Sequence, residues 1–468
     1  MAFLTLLRQA PRPLAFGALH SFGSAFGQTF LIALFVPFIS QSLGINETGF
    51  ANIYAGITIA SAVALPFIGR MIDRIDMLRY SLVVMVFLAL GCFVMSAAGN
   101  VIVLIGGLFM LRFAGQGLMS HVSMTSIARY FNQNRGRALA IAAFGFPMAE
   151  AVMPAIFLAL IAALGWRGAY IAAGIAILGV MMPLAAWLVR GNHGFRAAPA
   201  TEPLASPTPQ TQTQTQTQTQ TQTQEKSTSA TAQTNTDSLS SRQDRPETGH
   251  KTAASHPQSP SATSSSPPHP RLFKSTYIWL SMLMIAGQPL VLTALFFHQA
   301  VIASQKGFDL GWFAAGFTLF AITSVLGAFG SGPLIDKFGA RKLFPWHLLP
   351  LMMAVIVLAW TETAQIILVY MALAGLTTGF ATTLRTAIVP ELVPMNEIGS
   401  VRSSLTAIMV LASSAGPPIY GWLFAANVQL PTILIATVIG MAIATLLSWL
   451  AERPGFYVPP QIKQHDPA

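Results

Sequence analysis

Apolar runs of about twenty residues recur along this chain, and that recurrence constrains its fold more than any other feature. Read in order, they predict helices near 14–39, 49–69, 80–98, 101–127, 138–163 and 167–189, then near 276–300, 310–333, 344–361, 364–386, 398–425 and 431–450. At about 1.5 Å per residue, such a run crosses a hydrocarbon core about 30 Å thick. Lipid leaves backbone N–H and C=O groups without partners, so only helices or closed barrels span it. Continuous runs lack the alternation of a barrel strand. Charged residues are 9% of the 468, too few to cover a soluble protein of this length.

The single cysteine, Cys92, lies inside an apolar run, so the chain has no intramolecular disulfide framework. The first run follows Arg8 and Arg12 and is longer than a signal-peptide core, so it reads as a retained first helix. Of the 26 Lys and Arg, only Arg167 and Lys306 fall in loops on one side, and only Arg112 falls well inside a span. The positive-inside rule then predicts both termini on the cytoplasmic side of a cytoplasmic (inner) membrane. It also accounts for the net charge of +10 without a nucleic-acid partner.

Residues 191–275 differ in kind. They include TQTQTQTQTQTQTQ (211–224) amid Ser, Thr, Pro and scattered charge, with hardly any large apolar side chain. Such a segment buries too little surface to offset its ordering entropy and is expected to be a disordered tether. The expected division is a six-helix bundle over 1–190, a cytoplasmic linker over 191–275, and a second six-helix bundle with a cytoplasmic tail over 276–468.

Two charged knots punctuate the halves alike. GRMIDRIDMLR (69–79) carries Gly69, Asp73 and Arg74 at the spacing of Gly332, Asp336 and Lys337 in GPLIDKFGARK (332–342), 263 residues later. The same slide brings RFAGQG (112–117) near LTTGFA (376–381). This is a parallel internal repeat of six helices, the organisation of transporters built from two like bundles. The expected fold class is an all-α polytopic membrane protein with 12 transmembrane helices in two pseudo-symmetric six-helix bundles.

These knots resemble the loop 2–3 signature of major facilitator superfamily transporters: Gly, three residues, Asp, a basic residue, one residue, Gly, then basic residues. The second copy fits throughout, including Gly339, Arg341 and Lys342; the first has Asp76 where the family usually has glycine. Asp tolerates left-handed backbone better than most residues, so the turn is expected to survive. The resemblance covers both halves. RYFNQNRGRALAIAAFG (129–145) with GWRGAY (165–170) bears a local likeness to the oxalate–formate and monocarboxylate-type branch. By resemblance, Asp73 would face the start of helix 11 and Asp336 the start of helix 5. Glycine at these helix ends admits a close neighbour, and the charges form a latch on the cytoplasmic side or merely fix topology.

Within the spans, ionisable residues are sparse. Glu150 in helix 5 is the one acidic residue well inside a span, and Arg112 in helix 4 its basic counterpart. Counting along the helices places each roughly 16–18 Å deep, near the midplane, where a charge costs on the order of 3 kcal/mol to insert. Their repeat positions, Leu376 and Ser414 or Ala415, carry no charge. Arg112 reads as an anion site in the central cavity or as modulator of a carboxylate that titrates during transport, and an Arg112–Glu150 pair locking helices 4 and 5 is a second reading that does not exclude the first. A helix-4 arginine followed by Gln-Gly, here Gln116 and Gly117, also resembles a superfamily pattern, with one residue more than the usual spacing. His20, His298 and Gln299 are further candidates for substrate or proton contacts, or satisfied interhelical contacts. SSAGPPIYG in helix 11 reads as a bend and close-packing point.

A nucleotide-binding loop and a clustered metal set are missing from the sequence, so no enzyme, cofactor or metal site is expected. The reading is a monomeric secondary active transporter, moving a small organic anion by alternating access, coupled to protons or a counter-substrate. The alternatives are proton-coupled efflux of hydrophobic or cationic compounds with Glu150 as the carboxylate, and a transporter-fold sensor that does not transport.

Overall fold

The computed structural model describes residues 2–131, 134–192, 195, 276–392 and 398–451. The expected linker, save residues 191, 192 and 195, and the tail beyond 451 lie outside the described residues. Eleven helical runs among those described are long and apolar enough to cross a membrane. One of them, Arg135–Leu188, is broken at Gly165 (φ 70°, ψ 169°) and supplies two spans, giving twelve. The first six are α1 (Pro11–Leu43), α2 (Glu47–Gly69), α3 (Met77–Ser96), α4 (Val101–Tyr130), α5 (135–164) and α6 (166–188). The second six are α7 (Thr276–Phe297), α8 (Gly311–Phe338), α9 (Leu349–Trp360), α10 (Ile366–Leu392), α11 (Ile398–Ala425) and α12 (Leu430–Ala451). The chain is a multi-pass membrane protein of two pseudo-symmetric six-helix bundles.

Helix starts follow local chemistry. Asn46, Asp76 and Asn100 cap α2, α3 and α4, each side chain accepting from a backbone N–H three residues on. Gly44 ends α1 in left-handed backbone (φ 63°).

The repeat position in the two knots is met in two ways. Gly339 closes α8 at φ 82°, where a side chain would be strained. Asp76 stands there with φ −51° and ψ 132° instead, capping α3 through its carboxylate. The left-handed turn expected at Asp76 does not form, because a side-chain cap supplies what glycine's backbone supplies in the other half.

Two irregularities lie mid-span. α1 is interrupted by a 3₁₀ turn at Ser24–Gly27 and by Gln28 in extended backbone (φ −86°, ψ 152°). α4 widens into a π-helical stretch over Leu111–Met119. They meet: a Cβ on Gly115 would lie 2.6 Å from the Gly27 nitrogen, so the two backbones touch.

Contacts joining the halves cluster between mid-span and the end where the basic residues are few. Thr48 at the start of α2 donates to the Gly421 carbonyl of α11 (2.8 Å), and Thr318 of α8 to the Ala151 carbonyl of α5 (2.8 Å). Gln299, just past α7, donates to the Phe30 carbonyl of α1 (3.3 Å). Phe297 packs on Tyr54 and Phe50, with centroids 5.0 and 6.0 Å away. At the basic end, by contrast, Phe67 of α2 is 70% exposed, and Leu334 and Phe338 of α8 are also uncovered. The halves are joined at the charge-poor end.

Candidate functional site

A cavity of about 170 Å³ lies between the halves. Gln28, Thr29 and Phe30 from the α1 break face Phe146 and Glu150 of α5 and, across the interface, Gln288, Thr293 and Phe296 of α7, with Phe320 of α8 and Thr378 of α10. α5 reaches this position because Gly145 lets it press on the α1 backbone at Ala18 and Phe22. Two buried side chains lining the cavity have polar atoms without partners among the described residues. Glu150 is 5% exposed and has no hydrogen bond or ion pair among the described residues. Gln288 donates to Thr378 Oγ1 (3.1 Å), while its Oε1 is buried and unpaired. Buried polar groups in a membrane helix are normally satisfied, and here an unpaired carboxylate and an unpaired amide oxygen face one space. The aromatic wall is continuous: Phe317 bridges Phe30 (5.3 Å) and Phe296 (5.0 Å), and Phe296 meets Phe320 (5.3 Å).

Arg112 stands behind this wall, 2% exposed. Its Nη1 donates to the Gly27 carbonyl (2.9 Å), its guanidinium covers the Tyr54 ring at 4.8 Å, and its Nε has no partner. Gly27 ends the 3₁₀ turn in α1, so the arginine braces the broken helix from α4. Tyr54 passes the contact on, its hydroxyl 2.6 Å from Thr29 Oγ1 on the cavity wall. No Arg112–Glu150 pair exists among the described residues, because the guanidinium is turned toward α1 and α2. The alternative reading, a lock between helices 4 and 5, is therefore not seen in this conformation. Gln116, half-buried, sits in the same π stretch, and its backbone nitrogen is close to Gly27. A π turn takes up an extra residue, which is how α4 accommodates the longer Arg112-to-Gln116 spacing.

The other candidates are joined to helix neighbours. His20 Nδ1 lies 2.7 Å from the Phe16 carbonyl and Nε2 2.5 Å from Ser81 Oγ, tying α1 to α3. His298 Nε2 donates to the Pro417 carbonyl (2.9 Å), where Gly416 lets α11 press against α7 near Ala294. The close-packing reading of SSAGPPIYG thus matches the geometry. Gln299 joins the halves, and its Oε1 is buried without a partner. Neither histidine lines the cavity.

The family description of the Major Facilitator Superfamily matches residues 18–331 and 311–466. The chain belongs to the Major Facilitator Superfamily. Two solved structures of a bacterial homologue of the human lysosomal transporter Spinster, both inward-facing, share its fold. The unoccupied form has a TM-score of 0.64 and 14% identity over 94% of this chain and 96% of that one. The occupied form has a TM-score of 0.62 and 15% identity over 95% and 97%. The nucleoside transporter NupG is similar at TM-score 0.64 and 11% identity, over 96% of this chain and 100% of that one. No curated protein sequence matches the chain. These matches bear on the superfamily; the likeness to the oxalate–formate branch remains a resemblance in sequence.

The superfamily's signature loops serve their own halves in this conformation. Asp73 pairs with Arg129 at the basic end of α4, and Arg129 also donates to the Ile72 carbonyl (3.1 Å). Gly69 presents its carbonyl to His121 Nε2 (3.2 Å), whose ring would lie 3.5 Å from a Cβ there. Arg74 is exposed. In the second half Asp336 is exposed, without a hydrogen bond or ion pair among the described residues. Lys337 lies over the Phe338 ring (5.1 Å), and a Cβ on Gly332 would meet open space. Arg341 flanks Gly339 on the short helix Ala340–Leu343. The expected contacts of Asp73 with helix 11 and Asp336 with helix 5 are not seen among the described residues, as fits basic ends standing apart.

Proposed function

We propose that this superfamily member is a proton-coupled secondary active carrier in which Glu150 holds the coupling proton. The observation that carries the reading is a buried carboxylate with no cationic partner, facing a cavity between two halves that are joined at one end. In so apolar a place a carboxylate needs a proton or a cationic group. Alternating access then exchanges that need with the solution on each side. The positive-inside reading makes the joined end external, so the conformation is inward-facing, with both termini on the cytoplasmic side of a cytoplasmic membrane.

The geometry favours a small neutral or cationic solute with apolar surface over an organic anion. Among the described residues lining the cavity, four are Phe, the rest include Gln and Thr, and none is basic. An anion would lack a positive group, whereas a cation would find Glu150 and aromatic faces. The organic-anion expectation rested on Arg112, whose guanidinium is engaged by Gly27 and Tyr54.

Reconstitution into proteoliposomes tests both parts. Glu150→Gln is expected to keep solute exchange at equal pH and to lose accumulation driven by a pH gradient. Gradient-driven accumulation at the wild-type level in that variant would refute the assignment, and binding without flux in the wild type would make the protein a sensor. A panel of organic cations, neutral solutes and carboxylates separates the substrate classes.

A further inference from the structure

A second cavity, of about 300 Å³, opens between α10 and α11 toward the basic end. Thr382, Arg385 and Thr386 line it from α10, and Arg402, Thr406 and Met409 from α11. We infer that Arg385 and Arg402 form a binding site for a phosphate group there.

Three observations carry the inference. First, the guanidinium charge is uncompensated by any described residue of the wall. No acidic residue lines the cavity. Arg385 spends Nε on the Ala381 carbonyl of its own helix (3.0 Å) and reaches Met409 Sδ at 3.6 Å, a weak acceptor. Arg402 has no side-chain hydrogen bond or ion pair among the described residues.

Second, both arginines lie within about two turns of a helix end on the basic side. Arg385 lies seven residues before the end of α10 and Arg402 four after the start of α11, roughly 6–10 Å along each helix. Long basic side chains at that level reach the interface, where anionic headgroups collect.

Third, the pair has no counterpart in the other half. Sliding back by 263 to 265 residues puts Val122, His121 or Ser120 opposite Arg385 and Leu139, Ala138 or Arg137 opposite Arg402, so Arg385 has no arginine counterpart and the pair does not recur. A feature of the shared scaffold, or a topology signal alone, does not require two guanidinium groups to face one cavity in one half. Two planar donor forks suit the oxygens of a phosphate better than any single point charge. The threonine hydroxyls, now donating along their own helices, border the same space.

The phosphate belongs either to an anionic phospholipid or to a free or solute-borne phosphate, and two measurements on the purified full-length protein separate them. In native mass spectrometry, protein delipidated and then exposed to phosphatidylglycerol is compared with protein exposed to phosphatidylcholine. In detergent, the thermal midpoint is followed on adding inorganic phosphate against chloride at equal ionic strength. The wild type is expected to retain one more phosphatidylglycerol than the Arg385→Gln/Arg402→Gln variant, with at least about tenfold weaker binding in the variant. Arg402 is exposed, so Arg402→Gln alone keeps the test open if the double variant fails to fold. A phosphatidylglycerol difference without a phosphate response assigns the lipid. A phosphate-induced rise in midpoint that the variants lose assigns the free anion. Equal retention and equal midpoints in the wild type and folded variants overturn the site.

Discussion

The Arg112 guanidinium lies 4.8 Å from the centre of the Tyr54 ring, and Tyr54 carries that contact to Thr29 on the wall of the inter-half cavity. A desolvated cation over an aromatic face is worth about 2 kcal/mol, and here it is joined by a hydrogen bond to Gly27. Among the described residues, Arg112 is therefore connected to the cavity wall only through α1 and Tyr54. Arg112 and Glu150 share no partner, so a double-mutant cycle with Arg112→Leu and Glu150→Gln is expected to show coupling below about 0.5 kcal/mol in thermal unfolding. A coupling above about 2 kcal/mol would mean that the two charges pair. Tyr54→Phe, which keeps the ring, is expected to lose less stability than Tyr54→Leu.

The meeting of α1 and α4 depends on backbone contact at Gly115. Its added Cβ would stand 2.6 Å from the Gly27 nitrogen and 2.8 Å from the Gly27 Cα, atoms that cannot yield as a flexible side chain can. Gly115→Ala is expected to destabilise the protein by about 2 kcal/mol or more and to lower its yield in the membrane. Gly106→Ala on the same helix meets open space and is expected to be neutral or slightly stabilising. Melting curves of the two variants in detergent make the comparison, and equal midpoints would contradict the close approach.

The twelve spans and the two-bundle fold were legible because their signal is length and hydropathy, which lipid reads without tertiary help. The site was legible only in part. Glu150 stood out as a charge in an apolar run, and the structure puts it on the cavity. Arg112 stood out equally, yet its direction depends on the break at Gly27 and the π stretch over Leu111–Met119, and neither has a strong local signature. Gln28, Thr29, Gln288, Thr293 and Thr378 were passed over, because neutral polar residues in a membrane helix mostly serve interhelical contacts. Gln28 and Gln288 lie 260 residues apart, within three of the 263-residue repeat, which was the one available hint. Arg385 and Arg402 carry no signal in the sequence beyond the positive-inside bias, since nothing in it brings α10 and α11 around one space.

The signature carboxylates should matter little to stability in this conformation. The Asp73 side chain is 62% exposed while paired with Arg129, and such pairs are worth at most about 1 kcal/mol. Asp336 is exposed as well. Asp73→Asn and Asp336→Asn are expected to shift the unfolding free energy by less than about 1 kcal/mol each. If they latch the opposite conformation, as the resemblance implies, transport is expected to fall while the melting curve holds. Parallel losses of both would assign them a structural role in this state too.

Closure at the charge-poor end can be trapped covalently. Thr48 opens α2 and Gly421 sits late in α11, where an added Cβ would be 3.3 Å from the Thr48 Cα. Thr48 already donates to the Gly421 carbonyl at 2.8 Å, so the two backbones come close enough for a disulfide, which needs Cβ atoms about 3.5–4.5 Å apart. Cys92 is fully buried and is replaced by Ala so that the new pair is the only thiol set. Thr48→Cys with Gly421→Cys is expected to cross-link under mild oxidation without substrate, because the halves already meet there. If the two halves rock about the cavity, the bridge holds α2 against α11 and transport stops, returning when the bridge is reduced. A cysteine at Thr293 on the cavity wall should still react with a small thiol reagent from the basic side of the locked protein. Failure to cross-link would mean that the charge-poor end is open in solution, and undiminished transport in fully cross-linked protein would show that α2 and α11 do not part there during the cycle.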